Sequence, residues 1–576
     1  MEITQLWKDY QDGRSYQNSL SLQKTIEENV RFYQGEQWAP VTEATAHLPR
    51  PVINMVKMIT RSKKAAILST PVRLVYTAEN DSMAGQEFTD FAYFIQKEMR
   101  QDELDNKAIK DGLLKGSYFY HYYWDKNAKG TLAKSKGGLR CDLIEPLNIF
   151  FSNPNLQDEQ KQQWIIIASR EEVSKVKEKA DEGVDLSLIT ADEYEGGDYS
   201  EQENADLCTV LTRYFKKDGE IWCERGTKRV IFNEAFSMTP DLQVARKNLG
   251  LSEGEEGKVK ATLFPIVAGS YEEREHSIYG ISEVEGLIPN QKAMNLTMAM
   301  QILSTQRLAW GKYIVKKDAL KNQDITDEPG QVLVDYSAEG EGIKRLHEPG
   351  FSSMPLQIVN TLADLSRTMA GATDVIMGDY YADLSGTAIA RLQSQANLPI
   401  EELRGRFWRA KEKQGRVLEQ FFKLYYKDVV FKGEKSNEVS LFDGSKYAET
   451  EFSLLIEPIS GTRASAAGDI NMLDNLLNRG DISLLTYLEN YPDDALCNKK
   501  QLIEDVKNKH GLEVLELGKR LEEAEKALKE ALDREQASKK ALDSVESLVK
   551  ENMRLKETLS EVYRDAEDFA KIIVAK

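Results

Sequence analysis

The stretch "GISEVEGLIPNQKAMNLTMAMQ", residues 280–301, decides the fold together with the two segments that follow it. Its spacing predicts a helix opening at Ser282, an N-cap residue followed by Glu283 and Glu285, whose charges suit the positive end of a helix dipole. Val284, Leu287, Ile288, Met294, Met298 and Ile302 keep helical spacing through Pro289, which should kink only the early turns. A second helix is predicted from Ser352 or Ser353, with Pro355 in its first turn and Gly371 as its stop. Its apolar face is Met354, Ile358, Leu362, Leu365 and Met369, so both helices are expected to be packed and one-faced. Between them Gly311 to His347 reads as β-rich: Tyr313-Ile314-Val315 and Val332-Leu333-Val334 are strand-like, and Pro329-Gly330 makes a turn. Two helices around a small β module form a stalk with a tip.

Downstream, "GDYYADLSGTAIARLQSQ" (378–395) is a Gly-containing aromatic loop whose Ser385 can cap a helix starting near Gly386. Leu403, Phe407, Ala410, Val417, Phe421 and Leu424 carry that helix onward, interrupted by Pro399. Some 40 residues at about 1.5 Å each span roughly 60 Å. Such a helix needs neighbours along its whole length.

At this point the chain resembles the portal proteins of tailed double-stranded DNA bacteriophages, over most of its length. "RFYQGEQW" (31–38) with "RPVINMVKMITRSKKAAILSTPVRLVY" (50–76) is similar to that family's opening helix, aromatic-Gly-x-x-Trp element and Pro-x-Asn entry. "CDLIEPLNIFFSNPN" (141–155) and "QWIIIASREEVSKVKEK" (163–179) resemble its wing strand pair with an Asn-Pro turn between. Residues 280–301 resemble the first stem helix, 311–347 the clip, 352–369 the second stem helix, and "LSGTAIARLQ" (384–393) the start of the long helix behind the channel loop. The order and spacing of these elements, more than any one string, carry the resemblance.

The resemblance implies an α+β portal-type subunit. A mixed α/β wing covers 1–280, with 427–460 returning to it; the first stem helix covers 281–305, the clip 306–351 and the second stem helix 352–372. The tunnel loop and a long kinked wing helix follow over 373–426, then a helical crown over 461–511 and a C-terminal helical barrel or coiled coil over 512–576. It further implies a dodecameric ring at one capsid vertex, assembled in the host cytoplasm and carried in the virion. Double-stranded DNA would pass through it without sequence specificity. Its partners would be the terminase large subunit, head-completion or adaptor proteins, and the major capsid and scaffolding proteins. The implied tunnel loop is Gly378, Asp379, Tyr380, Tyr381, Ala382, Asp383, Leu384, Ser385 and Gly386. Tyr380, Tyr381 and Leu384 would press on the DNA, and Gly378 and Gly386 would let the loop move; a packed aromatic turn is the other reading. Lys312, Lys316, Lys317 and Lys321 make the clip locally basic, for DNA at the channel exit or for acidic faces of the motor. Lysines guarding a strand edge are the alternative. Lys292 on the first stem helix is a further candidate for a phosphate contact.

Composition agrees with a structural role. The 576 residues exceed what one hydrophobic core organises, 41% are hydrophobic and 30% charged, and the net charge is −18. DNA affinity comes mainly from Lys and Arg on phosphates, so this balance argues against a sequence-specific reader. It suits either plain solubility or a conduit wall that repels phosphate. No stretch is long and apolar enough for a membrane span, and "MEITQLWKDYQDGRSYQ" lacks signal-peptide regions. Cys141, Cys208, Cys223 and Cys497 have no Cys-x-x-Cys spacing and read as reduced structural thiols. No phosphate-binding G-x-x-x-x-G-K-[ST] loop is present, the five histidines are widely separated, and no cofactor or enzymatic activity is expected. Asp379 and Asp383 can share a divalent cation or simply face solvent.

In the wing, helical patterns cover Leu20 to Tyr33, Val52 to Leu68 and Gln86 to Lys115, before the aromatic run Tyr118 to Trp124. That run reads as a strand, with base stacking as the alternative. A hairpin is expected to turn at Asp218-Gly219. Beyond Tyr426 strand patterning returns, then two helices joined at Arg479-Gly480. From about Leu512, Leu548, Leu555, Val562 and Phe569 recur every seven residues, as in a coiled coil. An ordinary solvated helix is the alternative, and a coiled-coil scaffold or another virion assembly protein is the rival to the portal reading.

Overall fold

The computed structural model describes residues 4–46, 48–78, 81–125, 128, 137–192, 206–240, 260–309, 313–317, 319–321, 324, 334–336, 342–345, 354–371, 398–427, 429–433, 439–458, 463–491, 498–535 and 548–560. The chain divides into two compact units, Met1–Ile459 and Ser460–Lys576. The first is mixed: helices and small antiparallel sheets.

It opens with α1 (Gln5–Ser19), which the sequence reading did not anticipate. Thr4 caps it by accepting from the Trp7 amide, and Leu6, Trp7 and Tyr10 bury against Phe150 and Leu211. Then come α2 (Leu22–Gln34), α3 (Met55–Leu68) and β1 (Val72–Ala78). The single helical pattern over Gln86 to Lys115 divides in two, α4 (Ser82–Glu98) and α5 (Gln101–Lys115), because Arg100 sits in the left-handed region at φ 53°.

The aromatic run forms β2 (Ser117–Asp125) in the middle of a three-stranded sheet, between β3 (Gly138–Ile144) and, later in the chain, Ile266–Ser270. Tyr118, Phe119, Tyr120 and Tyr122 are all buried, so both faces of this strand are covered and those rings are not platforms for bases. A five-stranded sheet follows in simple chain order: β4 (Ile149–Phe151), β5 (Trp164–Glu172), then after the short α6 (Val173–Glu178), β6 (Leu207–Lys217), β7 (Glu220–Gly226) and β8 (Ile231–Ser237). The β6–β7 hairpin turns at Asp218 and Gly219, both at positive φ, as the Asp-Gly pair predicts. The returning strand β9 (Ile266–Ser270) requires a glycine: a Cβ on Gly269 would lie 2.2 Å from Cζ of Tyr118.

Next are α7 (Glu283–Ala309), the paired strands β10 (Tyr313–Val315) and β11 (Ile343–Arg345), α8 (Met354–Met369) and α9 (Leu398–Tyr425). Pro399 is the second residue of α9 and so starts the described helix without interrupting it; the expected continuation back to Gly386 lies outside the described residues. The pairs β12 (Val429–Lys432) with β13 (Val439–Phe442), and β14 (Phe452–Pro458) with β1, complete the unit.

α9 is the spine of the main core. Phe421 and Phe422 are buried, and Phe422 meets Phe91 of α4, whose ring stacks on Phe442 at 3.8 Å. Gly444 passes so close to the Phe422 carbonyl that a Cβ would lie 1.9 Å from its oxygen. Polar pins fix the other turns. Lys411 forms a buried ion pair with Asp105, which also accepts from Tyr120 OH at 2.8 Å and Gln101 Nε2 at 3.0 Å. Arg404 donates to the Ala66 carbonyl at 2.8 Å, in the last turn of α3.

The second unit holds α10 (Arg463–Arg479), α11 (Leu484–Asn490), α12 (Lys499–Glu535) and helical residues 548–560. Gly480 at φ 78° ends α10, at the expected junction. Lys556 Nζ lies 3.3 Å from Glu525. On one straight helix these residues would be roughly 45 Å apart, so the tail folds back on itself instead of extending as a single rod. No described helix is long and apolar enough to cross a membrane.

Cys141, Cys208 and Cys223 are buried free thiols, and Cys497 lies outside the described residues. Burial raises all three thiol pKa values, that of Cys208 to about 11 and that of Cys223 to about 12, which keeps them protonated and unreactive. His121 of β2 shares a 2.8 Å hydrogen bond with Tyr214 OH. Burial first, and the Arg225 charge second, pull its pKa from 6.5 down to about 3. Its folded pKa is depressed, so the unfolded chain binds the extra proton and stability falls as pH drops from 6.5 toward 3. Urea unfolding at pH 7 and pH 4.5 should show wild type losing more stability than His121→Gln on acidification, by on the order of 1–2 kcal/mol.

Candidate functional site

The helix–β–helix segment is anchored at one end and open at the other. At its start, Ser282 Oγ accepts from the amides of Val284 at 3.0 Å and Glu285 at 3.3 Å, while Glu285 Oε1 accepts from the Ser282 amide at 3.3 Å. This reciprocal capping box fixes the first turn of α7. Asn29 of α2 donates to both Ser282 Oγ and the Leu114 carbonyl, each at 2.9 Å, tying the cap to α2 and α5.

In the same turn, Lys63 of α3 reaches Glu283 at 2.9 Å and Tyr271 OH at 2.8 Å, and Tyr271 OH donates to the same carboxylate. Burial, then the Glu283 charge, push the Tyr271 phenol well above its ordinary value, so it stays a donor at all working pH. Beyond Pro289, Gln291 is fully buried. Its side-chain carbonyl accepts from the amides of Met55 at 3.0 Å and Val56 at 3.4 Å at the start of α3, and the Met55 amide also donates to the Ile53 carbonyl at 2.8 Å. Its amide donates to the Ile53 carbonyl at 2.7 Å and to Asn295 at 3.0 Å, and Asn295 donates onward to Gln37 at 2.6 Å. Around this ladder pack Phe32, Met55, Val56, Ile59, Val284, Leu287, Ile288 and Met294.

The sequence elements at 31–38 and 50–76 therefore have a shared task. Trp38 Nε1 donates to the Pro51 carbonyl at 2.9 Å. Asn54 caps α3 by accepting from the Lys57 amide at 2.9 Å and donates to the Tyr33 carbonyl at 3.0 Å. Together they hold the α2–α3 corner that receives α7. None of Gln37, Gln291 and Asn295 was singled out from the sequence, because their partners lie more than 230 residues away.

α8 corrects an expectation. Asn290 donates to Ser366 Oγ at 2.9 Å, and the face turned toward α7 is Val359, Leu362, Ala363, Ser366 and Ala370. Of the stripe expected to be packed, Leu362 is, while Met354, Ile358, Leu365 and Met369 are exposed, with Met369 at 76%. Leu296 and Met300 of α7 are also exposed. Periodicity found the apolar face; within one chain nothing described covers it.

At the far end β10 and β11 pair antiparallel, Ile314 opposite Lys344. Lys316 donates its amide to the Gly342 carbonyl at 2.8 Å, and Tyr336 donates to the Ala319 carbonyl at 2.9 Å. Lys316, Lys317, Lys321 and Lys344 are exposed; Lys344 was not singled out from the sequence, and Lys321 lies 4.1 Å over the Tyr336 ring. Lys312 and the whole expected tunnel loop, Gly378 to Gly386, lie outside the described residues. Lys292 pairs with Glu28 at 2.7 Å and sits over the Phe32 ring. Among the described residues no group of three or more His, Cys, Asp or Glu side chains is arranged to hold a metal ion.

Gln291→Ala would take the Val56 amide's acceptor, remove one of two partners from both the Met55 amide and the Ile53 carbonyl, and break the link to Asn295. It should lower stability in the first unfolding transition by about 2–4 kcal/mol, measured by urea titration of the full chain.

No curated protein matches the chain by sequence. Among solved structures, a protein of the virion of a native gene transfer agent particle aligns with 74% of this chain and 86% of its own, at 12% identity and a TM-score of 0.33. Residues 253–429, which hold α7, the β10–β11 pair, α8 and α9, match the family model of phage P22-like portal proteins. Over that span the chain carries a phage P22-like portal protein domain.

Proposed function

We propose that the chain is a portal subunit: a dodecameric ring that forms a channel at one capsid vertex for packaging and ejection of double-stranded DNA. The portal domain makes the chain a structural component of a phage particle. The observation that carries the ring is the uncovered apolar stripe of α8 with Leu296 and Met300 of α7. Large apolar side chains exposed along two helices that pack on one another are what a self-associating subunit leaves for its neighbour. In a ring the neighbour is a second copy at every contact.

In this reading α7 and α8 are the stem, β10–β11 with Lys316, Lys317, Lys321 and Lys344 is the clip that meets the terminase motor and head-completion proteins, and residues 378–386 form the tunnel loop. Lys292, held over Phe32 by Glu28, is a further candidate for a phosphate contact. The part is mechanical and electrostatic: ATP-driven work belongs to the motor, and the major capsid and scaffolding proteins surround the ring. The coiled-coil scaffold reading has less support, since 499–535 and 548–560 lie against each other within one chain.

Negative-stain electron microscopy of the full-length protein should give end-on views of closed rings with a central hole. Met300→Glu combined with Ile358→Glu should abolish rings while leaving the circular dichroism spectrum unchanged. Rods or monomers from wild type across salt and protein concentrations would defeat the proposal.

A further inference from the structure

A cavity of about 130 Å³ lies between β9, the 273–280 segment and α9. Its wall carries four cations, Arg274, Arg406, Arg409 and Lys413, and one acid, Glu273. On a chain of net charge −18 that local excess runs against the overall composition. Arg406, Arg409 and Lys413 fall at i, i+3 and i+7, so the geometry of α9 puts them on one face.

Two of the four charges are committed. Arg406 donates to the Tyr271 carbonyl and to Glu402, both at 2.7 Å, and Lys413 reaches the buried Glu159 at 2.7 Å. The other two are not: Arg409, exposed at the rim, has no hydrogen-bond or ion-pair partner among the described residues, and the half-buried Arg274 has its Nε buried with no partner. A buried guanidinium nitrogen without an acceptor is costly unless something supplies one. Ser270 and Gln157 add neutral polar groups to the wall, and Gln157 is held by donating to the Arg274 carbonyl at 3.1 Å.

We propose that this cavity binds one phosphate-sized oxyanion, gripped between the Arg274 and Arg409 guanidinium groups with Arg406 and Lys413 supplying field. Two planar forks converging on one tetrahedral oxyanion is the arrangement that favours phosphate over a simple halide. The source is either a duplex backbone phosphate or free phosphate. The inference holds whether or not the chain closes into a ring.

Inorganic phosphate titrated into the full-length protein at low ionic strength, followed by calorimetry, should show saturable binding. Arg409→Ala and Arg274→Gln should each weaken it by about tenfold or more, with Arg409→Lys intermediate and Lys446→Ala, a distant exposed lysine, unchanged. Circular dichroism of each variant separates lost binding from lost fold. Absence of saturable binding to wild type, or equal binding by well-folded Arg409→Ala, would overturn the proposal. A short duplex that displaces the bound phosphate identifies the backbone as the source; a duplex that leaves it in place identifies free phosphate.

Discussion

Everything in the portal-type span depends on how the start of α7 is seated. Pro289 interrupts the early turns of this helix, so intrahelical hydrogen bonds alone do not fix it there. The seat is made of side chains instead: the Ser282–Glu285 capping box, the Lys63–Glu283–Tyr271 cluster, and the amide relay from Gln291 through Asn295 to Gln37. Each group in the relay is buried and each has a partner, which is the condition under which polar residues inside a core specify one geometry. The relay also satisfies the first amides of α3, so the corner and the helix define one another.

Local chemistry was legible in the sequence. Ser282 with Glu285 reads as a helix start because every atom involved lies within three residues, and Gly371, Gly480 and Asp218-Gly219 read as stops and turns for the same reason. The break at Arg100 was not legible, since an arginine carries no sign of a left-handed backbone. Nor was α1, whose burial comes from Phe150 and Leu211, far along the chain. For α8, spacing located the apolar stripe but not its burial, since of its five residues only Leu362 is packed; periodicity says which residues share a face and not what covers that face. The tail shows the same limit: a heptad marks a seam, while the Lys556–Glu525 contact, which the heptad does not foretell, brings two helical stretches of one chain together. Of the candidate site, the lysines on the β10–β11 tip were found from composition, but Lys344 joined them only through strand pairing.

Charge is distributed unevenly over this acidic chain. The tip lysines are exposed on and beside a short two-stranded ribbon, whereas Arg274 and three cations of α9 line a cavity in the first unit. Surface lysines act as a diffuse field that salt screens, and arginines gathered around a cavity act at contact range. One protein can thus repel polyanions over most of its surface and still hold a single anion at a chosen place.

The unequal anchorage of α7 makes it a lever. Its clamped portion, from Ser282 to Asn295, is about 20 Å long, and the remaining turns to Ala309 extend about 20 Å beyond the last polar contact. A sideways load at the tip therefore reaches the clamp at a mechanical advantage near unity, and it arrives at the Gln291 relay as torque. Hydrogen bonds tolerate little misalignment, so this relay resists tilt far more stiffly than an apolar contact of the same area would. A helix held in this way transmits rotation between its two ends instead of absorbing it.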